Sequence, residues 1–358
     1  MPAGLVCPAC GRHFHDRWRC TCGAPLEFGA RPRPDGSALD FSAFDARRGL
    51  WAFDDFLPVE TPVTMGEGFT PLVDAPTLGA TVKLEYVSPT GSFKDRGAAT
   101  VISRALDLGV DRVIEDSSGN AGAAIAAYAA RAGLDADVYV PASVTPAKRR
   151  AIEATGARAI EIEGGREAVA DACRRAVEEG ESGWYASHAW NPAFFVGTAT
   201  FGIELAAQRD WSVPDAVVVP LGHGTLLLGA YRGFRALAEA GWIDDLPRLL
   251  AVQAAGYAPV ADAREGTDAE AINDLADGIQ VRNPVRRDDV EAALDATDGT
   301  AIAVSEDAVR TALTALREAG FGVEPTAAVA PAGLRAYRDR GIVDADADVV
   351  IPLTGRAK

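Results

Sequence analysis

A chain of 358 residues, 48% hydrophobic and 24% charged, is long enough to bury the core of about two domains. Its formal net charge of −16 speaks against a nucleic-acid binder, which would carry a basic face. No apolar run reaches the ~18 residues of a membrane span. The opening MPAGLVCPAC has no basic segment followed by an apolar stretch, so a cytoplasmic protein without a signal peptide is expected. Acidic residues are scattered, as in DADAD (344–348), alanine is abundant, and lysine occurs only at 83, 94, 148 and 358. That balance fits a salt-loaded cytoplasm better than an ordinary acidic protein, because salt screens the charge while the carboxylates keep the surface solvated.

The first element is a cysteine leader. Cys7 and Cys10 form a C-x2-C pair and Cys20 and Cys22 a C-x-C pair, each followed by glycine, Gly11 and Gly23. Short pairs bring two thiolates to one ion, and four thiolates suit tetrahedral Zn2+. A structural zinc ribbon over residues 1–30 follows, since so short a segment needs a staple. His13 and His15 lie in the connecting loop and offer replacement ligands. Disulfides fit less well where nothing points to secretion. Cys173, within the helical pattern REAVADACRRAVEEG, reads as packing.

RPRPDGS (31–37) reads as a linker. From residue 81 strands and helices alternate: TVKLEYV (81–87), then a helix over 96–109, DRVIEDS (111–117), an alanine-rich helix over 121–133, and ADVYVP (136–141). TPAKRRAIEATG (145–156) opens with a threonine cap and proline at its first position. ARAIEIEG (157–164), the Cys173 helix, a strand and long helix over 215–241, RLLAVQ (248–253), a helix–turn–helix over 318–341 and ADVVIPLTG (347–355) complete the series. Such alternation predicts parallel sheets covered by helices on both faces.

Ligands on these sheets sit at the carboxyl ends of strands. Three loops qualify: SPTGSFKDRG (88–97), DSSGNAG (116–122) and PLGHGTLLLG (220–229). Each combines small residues with a helix start, whose N–H groups favour an anion. The first also carries Lys94, a lysine kept in a chain that otherwise uses arginine.

With GEGFTPL (66–72), these loops resemble the fold type II pyridoxal-phosphate (PLP) enzymes, and threonine synthases with an N-terminal zinc ribbon in particular. The resemblance runs from about residue 60 to the C-terminus. It implies an α/β fold of two three-layer domains behind the leader: a large PLP domain from residues 31–97 and 186–358, and a small mobile domain from 98–185. It implies that Lys94 holds PLP as a Schiff base and carries protons, work a guanidinium cannot do because it does not lose its charge. Asn120 would bond the ring hydroxyl, and Ser92, Ser118 and Gly119 would receive the substrate. Gly222, His223, Gly224 and Thr225 would cradle the cofactor phosphate, and Thr354 would face the ring nitrogen. Glu324, Pro325 and Thr326 would stand behind the substrate site, and a homodimer is implied. The activity implied is conversion of O-phospho-L-homoserine and water to L-threonine and phosphate.

The match departs at two points. A G-x-K-T motif of the family reads Gly197-Thr198-Ala199-Thr200 here, and His223 stands where Asn is expected. Without that lysine the substrate phosphate must be held by others among Arg96, Lys148, Arg149, Ser92 and Thr90. The same Lys94 would also serve a serine or threonine ammonia-lyase, or a β-replacement enzyme such as a cysteine or cysteate synthase. A partner-binding protein with a degenerate body would have no use for Lys94 and Asn120.

Overall fold

The computed structural model describes residues 3–34, 36–180, 183–265 and 272–357; Asp35 of the linker and Lys358 lie outside them. The chain groups into two compact units, one from the ranges 1–34, 45–68 and 94–198, the other from 35–44, 69–93 and 199–358.

The first unit begins with the leader, a small antiparallel sheet with Leu5–Val6 between His13–Phe14 and Glu27–Phe28. Gly11 (φ 72°) and Gly23 (φ 92°) follow the two cysteine pairs in left-handed backbone. There their N–H groups turn back to the carbonyls of Cys7 and Cys20, at 2.8 and 2.9 Å. The leader is fastened to the rest of its unit by polar and aromatic contacts. Buried Arg104 donates to the carbonyls of Ala3 (2.8 Å) and His15 (3.2 Å), and the Trp184 indole donates to Asp16 at 2.7 Å. Trp18 packs edge-on against Tyr185 and Trp190, with centroids 5.5 and 5.0 Å away.

The same unit holds a four-stranded, fully parallel sheet in the order Arg158–Ile162, Asp135–Pro141, Arg112–Glu115, Trp184–Tyr185. Its helices include Lys94–Asp107, Asn120–Ala132, Pro146–Glu153 and Arg166–Glu178. The third starts as expected, with Pro146 first and the Thr145 hydroxyl accepting from Lys148 N. Cys173 is fully buried among Ile114, Tyr139, Val169 and Tyr185, and burial pushes its thiol up, so it is core.

The second unit holds a six-stranded sheet ordered Thr300–Val304, Arg248–Ala254, Ala216–Pro220, Val349–Pro352, Ala80–Lys83, Leu72–Ala75. The inner strands Arg248–Ala254, Ala216–Pro220 and Val349–Pro352 are buried along nearly their whole length, as strands covered on both faces must be. One departure from the expected all-parallel sheet is the edge strand Leu72–Ala75, which runs antiparallel. Another is that TVKLEYV stops being a strand at Lys83 and turns into a 3-10 segment, Glu85–Val87. The turn takes Glu85 inward, where its carboxylate accepts the Thr70 hydroxyl at 2.7 Å. Lys83 is wholly buried with it. Its ammonium donates to Glu204 (2.6 Å), Gln208 (2.7 Å) and the Thr70 carbonyl (2.9 Å), while Glu204 also accepts the N–H groups of Phe69 and Thr70. Among the described residues no helix is long and apolar enough to cross a membrane.

Candidate active site

In the first unit the chemistry gathers at the carboxyl end of the Arg112–Glu115 strand. Lys94 is the first residue of a helix whose next eleven residues, Asp95 to Ala105, are buried, while Lys94 itself is partly exposed. An amine at the open end of a rigid, buried helix is held in place yet reachable. At the end of the strand Glu115 is fully buried, accepting from His188 N (3.2 Å) and sharing a 2.6 Å bond with His188 Nδ1. Burial pushes Glu115 up to about 8, against the opposing pull of the His188 N–H and the Lys94 charge. Burial, helped by the Lys94 charge, takes His188 down to about 3, so its ring is neutral. Asp116 is raised by burial and by Glu115; one of its oxygens accepts Tyr185 OH at 2.8 Å, and the other is buried with no hydrogen-bond partner.

The strand continues into the Ser117–Asn120 loop. The Ser117 hydroxyl accepts Gly119 N (3.3 Å), and the helix Asn120–Ala132 starts from Gly119 with no side-chain cap. Ser118, Gly119 and Asn120 are all partly exposed. An uncapped helix start lined by small residues has N–H groups to offer a carboxylate.

In the second unit the loop leading to Lys94 is laced to the C-terminal segment. Phe93 N donates to the Thr354 carbonyl (3.0 Å), Arg356 N to the Gly91 carbonyl (2.8 Å), and Ser92 pairs with Gly355. Thr354 is 3% exposed, and its hydroxyl is buried without a hydrogen bond. The Gly222–Thr225 turn closes the Ala216–Pro220 strand and opens the helix Thr225–Glu239, again with no side-chain cap. Gly224 is left-handed (φ 81°), and a Cβ there would meet Val290 at 2.6 Å; one on Gly222 would meet Ile279 at 3.2 Å. This turn is bare backbone at the positive end of a helix dipole, the form a phosphate cradle takes.

Local sequence signals single out the loop residues, and the residues packed beneath them carry no such signal. Ile279 and Val290 carry no chemical signal, yet they hold the glycine turn from beneath. Glu115, Asp116 and His188 were overlooked because nothing in sequence joins residues so far apart. Thr326 accepts Gly278 N at 3.3 Å and Glu324 N donates to the Gly355 carbonyl at 3.0 Å, so this segment braces both the turn floor and the Thr354 strand end. Of the residues considered for a second phosphate, Arg96 is fully buried and Arg149 binds Glu153 and Glu161 on an exposed helix face. Ala199 is partly buried in the helix Pro192–Ala207.

In the leader, the sulfurs of Cys7, Cys10, Cys20 and Cys22 lie within 4.8 Å of one another, close enough to hold a metal ion. Hydrogen bonding, chiefly from the Cys22 backbone N–H, lowers Cys20 to about 6, toward the thiolate a metal requires. His13 and His15 are outside this cluster.

A family model described as pyridoxal-phosphate dependent enzyme matches residues 63–355. The chain belongs to that family, and the uncoupled Thr354 hydroxyl and the Gly222–Gly224 cradle fit its coenzyme. Within the family it is similar to the threonine synthase of Methanosarcina acetivorans, 35% identical over 86% of this chain and 79% of the relative. It is also 31% identical to the threonine synthase of Methanocaldococcus jannaschii, over 98% of this chain and 91% of that one. Among solved structures, a fungal L-serine ammonia-lyase from Rhizomucor miehei shares the fold, with TM-score 0.69 and 26% identity over 80% of this chain and 93% of that one.

Proposed function

We propose that this chain is a threonine synthase, converting O-phospho-L-homoserine and water to L-threonine and phosphate. The observation that carries the reading is Lys94: an amine at the reachable end of a buried helix, directly after a loop laced to Thr354, in a chain that covers most of two threonine synthases. Lys94 would hold the coenzyme, Asn120 would bond its ring hydroxyl, Gly222, His223, Gly224 and Thr225 its phosphate, and Thr354 its ring nitrogen. Bound PLP withdraws electrons from the substrate Cα, so that its proton can leave. The neutral Thr354 hydroxyl does not hold a proton on the ring nitrogen as a carboxylate would. Lys94 is the base that takes the Cα proton and returns protons later in the reaction. N–H groups of the Ser118–Gly119 turn hold the substrate carboxylate, and Ser92 lines its path. Residues 98–185 form the small mobile domain, which closes to exclude water, and residues 31–97 and 186–358 form the large PLP domain. The four cysteines hold structural Zn2+ over residues 1–30. The enzyme works as a homodimer in a salt-rich cytoplasm.

Ala199, where a lysine is expected, favours a second reading: a serine or threonine ammonia-lyase needs no second phosphate site. One assay separates the two. Purified protein with PLP in high salt is given O-phosphohomoserine, threonine, serine and O-phosphoserine in turn. Phosphate and threonine from the first substrate support the synthase; 2-oxobutyrate from threonine, with no phosphate release, overturns it.

A further inference from the structure

Where the leader meets the rest of the first unit, its residues help to line a cavity of about 430 Å³, the size of a small-molecule site. The leader supplies Asp16, Arg17 and Trp18; Glu178 comes from the end of the helix Arg166–Glu178, and Trp184 from its short strand. None of the four cysteines and no residue given a part in the proposed reaction lines it. Its lining carries two carboxylates and one guanidinium. Asp16 is committed: Oδ2 accepts the Trp184 indole at 2.7 Å, and Oδ1 lies 3.5 Å from Nη2 of buried Arg104. Glu178 gives Oε1 to Arg19, which leaves Oε2. Arg17 makes no ion pair or hydrogen bond among the described residues; its guanidinium only skirts the Phe14 ring, 6.0 Å from the centroid. One acceptor from the helix and one donor group from the leader are therefore unspent. A ligand bearing only an anion would meet the open charge of Glu178, and one bearing only a cation would leave Arg17 unmatched. A zwitterion answers both.

We propose that this cavity binds a free amino acid with an apolar side chain. Its carboxylate pairs with Arg17, whose planar fork suits two oxygens. Its ammonium pairs with Glu178 Oε2, and its side chain rests on Leu5, Val177 and the Trp184 ring, which also line the cavity. The walls are already in place. Trp18 is wedged edge-on against Tyr185 and Trp190, and Asn191 Nδ2 holds the Tyr185 carbonyl at 3.3 Å, so little ordering is left for the ligand to bring about. The site is distinct from the candidate active site and does not rest on Lys94. The two share a wall, since Tyr185 lines the cavity and donates its hydroxyl to Asp116, just ahead of the Ser117–Asn120 loop.

Calorimetric titration of the full-length, coenzyme-loaded chain tests the site. The probes are L-leucine, leucinamide, which lacks the carboxylate, and N-acetyl-L-leucine, which lacks the ammonium. L-Leucine is expected to bind saturably with a Kd of about 1 mM or tighter, because ion pairs at an exposed rim are individually weak. Each capped form should bind at least about threefold more weakly. Arg17→Ala should weaken L-leucine by about that factor and leave leucinamide unmoved, while Glu178→Gln should weaken L-leucine and leave N-acetyl-L-leucine unmoved. Arg17 is exposed and the Glu178 side chain is 46% exposed, so both variants should keep the wild-type denaturation midpoint. No saturable heat up to about 20 mM, equal binding of the capped forms, or an L-leucine affinity that neither variant moves overturns the proposal. In the last case, loss of binding in Lys94→Ala would put the amino acid at the active site instead.

Discussion

Lys83 and Lys94 stand eleven positions apart and live in opposite surroundings. Lys83 is sealed, with three acceptors around its ammonium and a carboxylate partner that is itself saturated by N–H groups. Lys94 is partly exposed, at the first position of its helix. A fully satisfied buried ion pair fixes structure and has no charge state left to vary. An amine at a partly open helix start can exchange its proton, which nucleophilic chemistry demands. The two lysines therefore serve two purposes here, one architectural and one chemical.

The sharpest way to break that contrast is to remove each amine. Lys94→Ala is expected to abolish the visible band of bound coenzyme and all turnover, while shifting the denaturation midpoint little, since the side chain lies at an open helix end. A band that survives would show that another amine does the work. Lys83→Ala should do the reverse. Leaving Glu204 buried and uncompensated costs about 3–5 kcal/mol, measured by denaturant unfolding, yet the protein that stays folded should still take up coenzyme. Gly224→Ala tests the cradle: a left-handed position and a 2.6 Å clash with Val290 should cost about 1–3 kcal/mol and weaken coenzyme retention on dialysis more than Lys83→Ala does. Chelation under reducing conditions should loosen the leader, seen as faster amide exchange over residues 5–28, with residual turnover; complete loss of activity in a folded protein would make the metal catalytic.

A further effect is on pH dependence. Glu115 has a folded pKa raised to about 8 from 4.5, so the folded chain holds a proton that the unfolded chain has released. Stability from this group is complete below the unfolded value and is lost as pH rises toward 8. Glu115→Gln cannot lose it, so the stability of the variant relative to wild type should climb between about pH 5 and pH 8. A constant difference would mean that Glu115 is ionised in the native protein.

Local signals explain what was legible beforehand. Cysteine pairs with a trailing glycine, a threonine–proline helix start, apolar strands ending in glycine turns and one lysine between them each act over a few residues, and each is where the sequence places it. What escaped notice depends on long-range pairing. Glu115 meets His188 only because Ile114 and Tyr185 are neighbours in a parallel ladder, and Lys83 meets Glu204 across 121 positions. The antiparallel edge strand and the inward turn at Glu85 were equally hidden, since both follow from partners that periodicity cannot name.

Trp18, fixed between the cysteine pairs and packed on Tyr185 and Trp190, gives the leader an optical gauge. Trp184, bonded to Asp16, belongs to the same group, whereas Trp211 and Trp242 pair with each other in the second unit. If the four sulfurs hold a metal, ultraviolet emission from the first cluster should redden on chelation, leaving the second pair as an internal standard.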